Sequence, residues 1–166
     1  MKTKILTVII ALAFAGFACD STSSNDEDDL VDELVGTWVS EGAGNVAIGL
    51  AAFFQTAKID AVFEENGSYN VVSIDSSGAA VTFTGTFQTG DETPSGIRTI
   101  RLQQNEPVSV VSEGIFQIDG NDMTYEVIQT EPNIGAEAPT VEGGFGSTIV
   151  NGEATGILWI QRFERN

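Results

Sequence analysis

The side chains that most often carry out chemistry are scarce in this sequence. It contains no histidine and a single cysteine, Cys19. A thiolate or hydroxyl nucleophile needs a basic partner to activate it, so the usual pairs of nucleophile and base cannot be built. Two pairs of adjacent acids, at 64–65 and 91–92, fall at turns, where their side chains diverge or face water. We therefore expect a protein that is not an enzyme.

Metal and anion binding have few candidates as well. The remaining metal ligands are oxygens, which argues against zinc and copper, and we expect no metal and no cofactor. Arg98 is more informative. If Ile100 and Leu102 face the interior of a sheet, Arg98 does too, and it could bind the carboxylate or phosphate head of a ligand at the opening of a cavity. The alternative is that Arg98 lies at a strand end and reaches solvent.

Cys19 marks an abrupt change in composition. Residues 5–18 contain one polar residue and follow Lys2 and Lys4, which is the pattern of an export signal. This apolar run of fourteen residues is short for a membrane span. The junction resembles the signal of bacterial lipoproteins, in which the cysteine after the cleavage site receives a diacylglycerol on sulfur and an acyl chain on its new amino group. That resemblance implies a signal peptide over residues 1–18 and lipidation of Cys19.

Secretion as a soluble protein is the alternative. Gly16 and Ala18 also satisfy the small-x-small rule of an ordinary signal peptidase. A single exposed cysteine in an oxidising compartment would be prone to pairing or oxidation, which favours lipidation. We therefore expect a bacterial cell-envelope lipoprotein, in the outer membrane or at the cell surface, attached to the membrane by its lipid anchor. A secreted or periplasmic protein is the alternative location.

The charge of the chain limits its partners. Seven basic residues stand against 24 acidic ones, for a formal net charge of −17, and loss of the two signal-peptide lysines gives −19. The electrostatic field of so negative a chain repels phosphate backbones and anionic headgroups. We therefore expect no nucleic-acid partner and no peripheral binding to an acidic membrane. Residues 20–33 contain seven acids and no aromatic residue, which predicts disorder. The predicted organisation is a lipidated cysteine and acidic tether over 19–33 and one monomeric domain over 34–166.

From Leu34 onward, apolar and polar residues alternate between turn residues, a pattern that predicts strands. The strongest turn signal is Asn66-Gly67, which favours a two-residue hairpin turn, and residues 119–122 favour another. The predicted strands lie at 34–39, 57–64, 69–74, 81–88, 97–104, around 114–118, and at 123–130 and 156–163.

Two segments lack this alternation. In 45–56 apolar residues recur at helical spacing and Asn45 can cap, which predicts a short helix, although Gly49 costs about 1 kcal/mol relative to alanine. The apolar residues concerned are Val46, Leu50, Phe53 and Phe54. Residues 131–150 contain two prolines and four glycines, and a loop of this length is usually functional or packed as a lid.

Eight antiparallel strands can close into an up-and-down barrel or split into a two-sheet β-sandwich, and periodicity does not separate the two. Gly36-x-Trp38, a helix or flap before the second strand, a hairpin meander and an arginine late in the last strand resemble the lipocalin (calycin) family. The resemblance implies an all-β, eight-stranded antiparallel barrel with one short helix after strand one. It also implies structural roles for Gly36, for Trp38 at the closed end, and for Arg162 packed across Trp38. The family's helix before the last strand is replaced by 131–150, as in lipocalin-like bacterial lipoproteins.

Two functions remain open. The first is a lipid-anchored module that binds a small apolar or amphipathic ligand at the barrel opening, with residues 46–54 and Phe145 as flaps. The second is a non-catalytic structural or interaction lipoprotein of the envelope, whose barrel is filled by its own side chains. An apolar cavity favours the first function and a packed interior the second. The candidate ligand-binding residues are Val46, Leu50, Phe53, Phe54, Arg98 and Phe145.

Overall fold

The computed structural model describes residues 32–166, so the predicted signal peptide, Cys19 and residues 20–31 of the tether lie outside the described residues. The strands are β1 (Gly36–Glu41), β2 (Thr56–Phe63), β3 (Ser68–Asp75), β4 (Ala80–Thr89), β5 (Arg98–Glu106), β6 (Val110–Asp119), β7 (Asp122–Glu131), β8 (Ala136–Glu137), β9 (Ile149–Val150), β10 (Glu153–Ala154) and β11 (Ile160–Arg165). The helical elements are α1 (Ile48–Phe54) and a 3₁₀ turn (Gly156–Trp159). No helix among these residues is long and apolar enough to cross a membrane.

Eight of these strands form a closed antiparallel barrel. β1 to β7 pair in sequence order, and β11 closes the ring by pairing with both β7 and β1. A sandwich would leave edge strands unpaired, whereas closure satisfies both sides of every strand. The structure therefore confirms the predicted eight-stranded barrel with one short helix after the first strand, and the fold is compatible with a lipocalin-like barrel.

The predicted alternation decides which side chains fill the barrel. On β2, for example, Ile59, Ala61 and Phe63 are buried while the intervening residues are partly exposed. Successive side chains of a strand point to opposite faces, so every second residue faces the interior. The buried interior cluster contains Leu34, Trp38, Ile59, Ala61, Phe63, Tyr69, Ile100, Phe116, Met123 and Phe163.

The up-and-down order divides the connections between two ends of the barrel. We call one the closed end: it carries residues 32–35, the β2–β3, β4–β5 and β6–β7 turns, and the C-terminus. We call the other the mouth end: it carries α1, the β3–β4 and β5–β6 turns, and the segment 132–159.

Several predicted boundaries are corrected by the structure. α1 is shorter than the predicted 45–56, and its N-cap is Ala47, which makes no side-chain cap. Asn45 does not cap, because its amide donates to the Glu41 carbonyl at 3.3 Å. The predicted last strand, 156–163, begins only at Ile160 because the 3₁₀ turn occupies its first four residues.

The Asn66-Gly67 connection is also longer than predicted. β2 ends at Phe63 and β3 begins at Ser68, so four residues form the turn. Gly67 has φ +79°, and the Asn66 side-chain oxygen accepts from the Ser68 N–H at 2.9 Å. The turn residues were therefore identified correctly, but Asn66 acts through its side chain rather than through the positive φ of a two-residue turn.

The long segment after β7 packs on the outer wall of the barrel. It contains a small three-stranded sheet in the order β10-β9-β8. Glu126 points outward from β7 and is fully buried, and its carboxylate accepts hydrogen bonds from the Gly146 N–H and from the N–H and hydroxyl of Thr148. Charge-assisted bonds of this kind are stronger than neutral ones, so Glu126 fixes the segment to the wall.

Candidate functional site

The closed end is sealed by Trp38. Its side chain is fully buried, and its Nε1–H donates to the Leu34 carbonyl at 2.8 Å. The Arg165 guanidinium lies 4.2 Å from the centre of the indole ring, a cation–π arrangement. Gly36 has φ +137°, and a Cβ there would lie 2.7 Å from Arg165 Nη1. Glycine is therefore required beside the arginine.

The arginine over Trp38 is Arg165 and not Arg162, which corrects the role implied by the family resemblance. Arg162 is out of phase with the interior residue Phe163, so it lies on the outside of the barrel. Its Nη1 donates to the Gly44 carbonyl at 3.1 Å. The prediction failed because β11 continues to Arg165, two residues beyond its predicted end.

Arg98 lies at the closed end, so the position at the opening is wrong and the alternative, a position at a strand end, is what the structure shows. β5 begins at this residue, at the end of the barrel opposite α1. Its Nη1 and Nη2 donate to the two carboxylate oxygens of Asp32, each at 2.8 Å. It also donates to the Gly90 carbonyl and the Thr89 hydroxyl. Arg98 therefore holds Asp32, which precedes β1, against the closed end of the barrel, and it is not brought together with α1.

We expect Asp32→Asn to weaken this clamp. Burial raises the pKa of Asp32, but hydrogen bonds from Arg98, Thr89 and the Leu34 N–H outweigh it and lower the pKa below 3.8. A lowered folded-state pKa gives stability that is present above the unfolded pKa and is lost as pH falls through the folded pKa. The substitution should lower the free energy of unfolding by about 1 to 3 kcal/mol at pH 7.

Urea unfolding at pH 7 and at pH 3 measures this effect. The difference between Asp32→Asn and the wild-type protein should shrink at pH 3, where protonation already weakens the pair. Asp91→Asn is the matched control, because Asp91 is an exposed acid at the same end, and it should change stability by less than about 0.5 kcal/mol. An equal loss at both pH values would contradict a contribution from the charged pair.

The mouth end carries the exposed apolar side chains. Phe53 and Phe54 are 66% and 65% exposed. The set, which we call the apolar rim, is Ile48, Phe53, Phe54, Val81, Val108, Ile134 and Ile157. The turns of the closed end expose the acids Glu64, Glu65, Asp91, Glu92, Asp119 and Asp122, and the mouth end exposes Glu41, Glu106, Glu131, Glu137, Glu142 and Glu153. Exposed acids thus occur at both ends, whereas the exposed large apolar side chains are all at the mouth end.

α1 rests on Trp159. A Cβ at Gly49 would lie 2.6 Å from the indole, so only glycine allows this contact, which explains a residue that is unfavourable for a helix. The Phe53 and Trp159 ring centres are 6.1 Å apart. Val46 is buried and Leu50 packs against the interior cluster. The predicted helix residues therefore divide into two that pack inward and two, Phe53 and Phe54, that face solvent.

Beyond α1, solvent reaches side chains that point into the barrel. Val71, Phe83, Leu102 and Val127 pack against the interior cluster but are only partly buried. They lie on β3, β4, β5 and β7, whereas α1 contacts β2 and the 3₁₀ turn. The barrel is thus sealed at its closed end and partly open on one side of its mouth.

Three buried polar atoms lie on β1, on β11 and on the 3₁₀ turn before it. Ser40 Oγ, Trp159 Nε1 and Gln161 Nε2 have no hydrogen-bond partner among residues 32–166. Ser40 is fully buried and Gln161 is 4% exposed. Native proteins satisfy most buried polar groups, so such a group requires an explanation. The sequence contained a signal for Gln161, which alternates with Trp159 and Phe163, but we did not single it out.

Phe145 occupies a different environment from the other candidates. It is partly buried and precedes Gly146, whose N–H donates to Glu126 on the outward face of β7. The segment that carries Phe145 is therefore bound to the outer wall of the barrel, whereas the other apolar candidates lie on or next to α1.

The candidates for catalysis and metal binding were two pairs of adjacent acids. The adjacent acids at 64–65 and 91–92 are exposed at closed-end turns, and no cluster of three or more acidic or cysteine side chains in 32–166 could hold a metal ion. Burial raises the pKa of Tyr69 to about 12, so this interior hydroxyl stays neutral.

Two surface clefts lie outside the barrel, one of about 360 Å³ beside Pro139 and one of about 500 Å³ beside Gly36.

Comparison of the chain with protein-family models, with curated proteins and with solved structures gave no match. A functional proposal therefore depends on the geometry and chemistry of the barrel itself.

Proposed function

We propose that this protein is an exported, lipid-anchored, lipocalin-like barrel that binds a small apolar or amphipathic ligand at its mouth. The observation that carries this proposal is the apolar rim, whose seven large side chains are all at one end of an acidic domain. Large exposed apolar side chains that share one end of a barrel favour a binding site there, whereas scattered single ones need no explanation. Barrels of eight strands that hold one small ligand receive it at the mouth.

In this proposal α1 is the flap over the ligand. It has seven residues and no side-chain cap, and isolated helices of this length are unstable in water. Leu50 attaches it to the interior cluster and Val46, just before it, is buried, while Phe53 and Phe54 are largely exposed and can contact a ligand. The ligand tail would contact the partly open side, lined by Val71, Phe83, Leu102 and Val127.

The second candidate is a structural or interaction lipoprotein of the cell envelope. The observation that favours it is the interior cluster, which fills the closed end with Trp38, Phe63 and Phe116. In that case the apolar rim would contact an envelope protein rather than a small ligand. Both proposals place the protein in the bacterial envelope, with its tether joined to the closed end at Asp32.

The double substitution Phe53→Ser and Phe54→Ser tests ligand binding. Because both rings are largely exposed, we expect the free energy of unfolding to change by less than about 1 kcal/mol. We expect affinity for an apolar fluorescent probe to fall by at least about tenfold, since two aromatic contacts disappear. Urea unfolding and probe titration measure the two effects.

Phe53→Leu with Phe54→Leu is the matched control, because it keeps apolar surface at both positions and should retain most of the binding. If the wild-type barrel takes up no apolar probe, the binding proposal fails and the interaction proposal replaces it. A loss of several kcal/mol in the serine variant would show that the two rings belong to the core.

A further inference from the structure

We infer that the ligand is an uncharged amphipath whose head carries a hydrogen-bond acceptor, such as an ester or amide carbonyl, bound by Gln161, Trp159 and Ser40. This inference rests on the proposed ligand binding at the mouth and specifies the chemistry of the ligand. The unpaired buried polar atoms described above carry it.

All three atoms can donate a hydrogen bond. The Gln161 Nε2 and Trp159 Nε1 atoms carry N–H groups, and the Ser40 hydroxyl can donate as well. Gln161 is 4% exposed and Ser40 is fully buried, so bulk water does not reach them freely. A ligand acceptor placed among these donors would satisfy groups that the described chain leaves unpaired.

The strand register directs these groups into the barrel. Gln161 lies two residues before Phe163, which belongs to the interior cluster, and Ser40 lies two residues after the interior residue Trp38. Residues two apart on a strand share a face, so Gln161 and Ser40 also point inward. Paired residues of β1 and β11 are Trp38 with Arg165 and Val39 with Glu164, so both polar residues follow this ladder toward the mouth.

Trp159 carries the third donor and is the last residue of the 3₁₀ turn, directly before β11. Its ring atoms Cζ3, Cε3 and Cη2 lie against Gly49 of α1. The Nε1 atom of the same ring is buried and has no hydrogen-bond partner among residues 32–166. The helix that exposes Phe53 and Phe54 therefore packs against the residue that carries this unpaired donor.

The charges at the mouth favour an uncharged head. Lys58, at the start of β2, is paired with Asp60 at 3.0 Å on the outside of the barrel. Arg162 donates to the Gly44 carbonyl on the outer face of β11, and Arg98 is at the closed end. A carboxylate head inside the mouth would thus find donors but none of these three cations, because they lie on the outer face or at the closed end of a chain with net charge −17.

Binding of three probes to the folded domain tests the inference: monoolein as the uncharged ester, oleate as the anion of the same chain, and pyrene as a hydrocarbon without an acceptor. We expect monoolein to bind at least about tenfold more tightly than oleate at pH 8 and low salt. Gln161→Leu should weaken monoolein about tenfold and leave pyrene unchanged, because one hydrogen bond to the head is lost.

The stability of the Gln161→Leu variant and the position of the bound ligand relative to Trp159 can be measured independently of affinity. Gln161→Leu should leave the unfolding midpoint unchanged or raise it, since an apolar side chain of similar size replaces a buried unpaired amide. A brominated monoglyceride should quench tryptophan emission in the wild-type protein, which has two tryptophans, and should quench Trp159→Phe much less. Gln88→Leu is the matched control, because it makes the same change on an exposed residue and should alter neither affinity nor quenching.

Each outcome separates the inference from the proposed function. If pyrene binds but the affinity for monoolein does not change in Gln161→Leu, these donors do not bind the ligand head. The inference then fails, while ligand binding at the mouth stands. If oleate binds more tightly than monoolein, the uncharged class is wrong. If none of the three probes binds, the proposed function itself fails.

Discussion

Replacing Trp38 with alanine should lower the free energy of unfolding by about 3 to 5 kcal/mol, the usual cost of truncating a large core side chain. Trp38 is fully buried at the closed end and belongs to the interior cluster. The substitution would also leave the Leu34 carbonyl without its donor and Arg165 without the ring beneath it. Both losses add to the cavity, so the effect should be the largest of any single aromatic truncation in this domain.

Urea unfolding at pH 7 measures the effect. Phe53→Ala is the control, because it truncates an exposed ring at the mouth end and should cost less than about 1 kcal/mol. A loss below about 1 kcal/mol for Trp38→Ala would mean that this side chain does not seal the barrel. The likeness of Gly36-x-Trp38 to the lipocalin motif would then be accidental.

Replacing Cys19 with alanine should move the protein from the membrane fraction to the soluble fraction. In the proposed lipoprotein the cysteine carries the acyl chains, and each buried methylene group contributes about 0.8 kcal/mol to membrane binding. The acidic chain has no electrostatic attraction to anionic headgroups that could replace the anchor. Loss of the anchor should therefore release nearly all of the protein.

Radiolabelled palmitate and fractionation of the producing bacterium measure this effect. Label should enter the wild-type protein and not Cys19→Ala, and Ser21→Ala should behave as the wild type because it leaves the cysteine intact. Recovery of unlabelled wild-type protein entirely in the soluble fraction would contradict lipidation. Secretion, the alternative given by Gly16 and Ala18, would then be favoured.

The strands and turns could be predicted because their signals are local. The alternation of Val81, Phe83, Gly85 and Phe87 with polar residues depends only on the period of a strand, and β4 forms where it predicted one. The same holds for the hairpin between β6 and β7 and for the position of α1. Boundaries were less accurate where a neighbouring element competed, as when the 3₁₀ turn replaced the start of the last strand.

The candidate site could be predicted only in part. Helical spacing identified Val46, Leu50, Phe53 and Phe54, but it did not divide them into packed and exposed pairs. That division depends on Trp159, which contacts the helix from 110 residues farther along the chain at Gly49. The sequence also did not show at which end of the barrel each turn lies, since no local pattern assigns a turn to one end or the other.

The sequence by itself determined which residues form the barrel strands and which face inward on each strand, because periodicity acts over a few residues. Only the tertiary structure decided closure and the pairing of polar groups. Arg98 pairs with Asp32 across 66 positions, and Arg165 binds the Val35 carbonyl across 130. Such contacts arise when the barrel closes, so local patterns do not encode which arginine covers Trp38 or which donors at Ser40 and Gln161 stay unpaired.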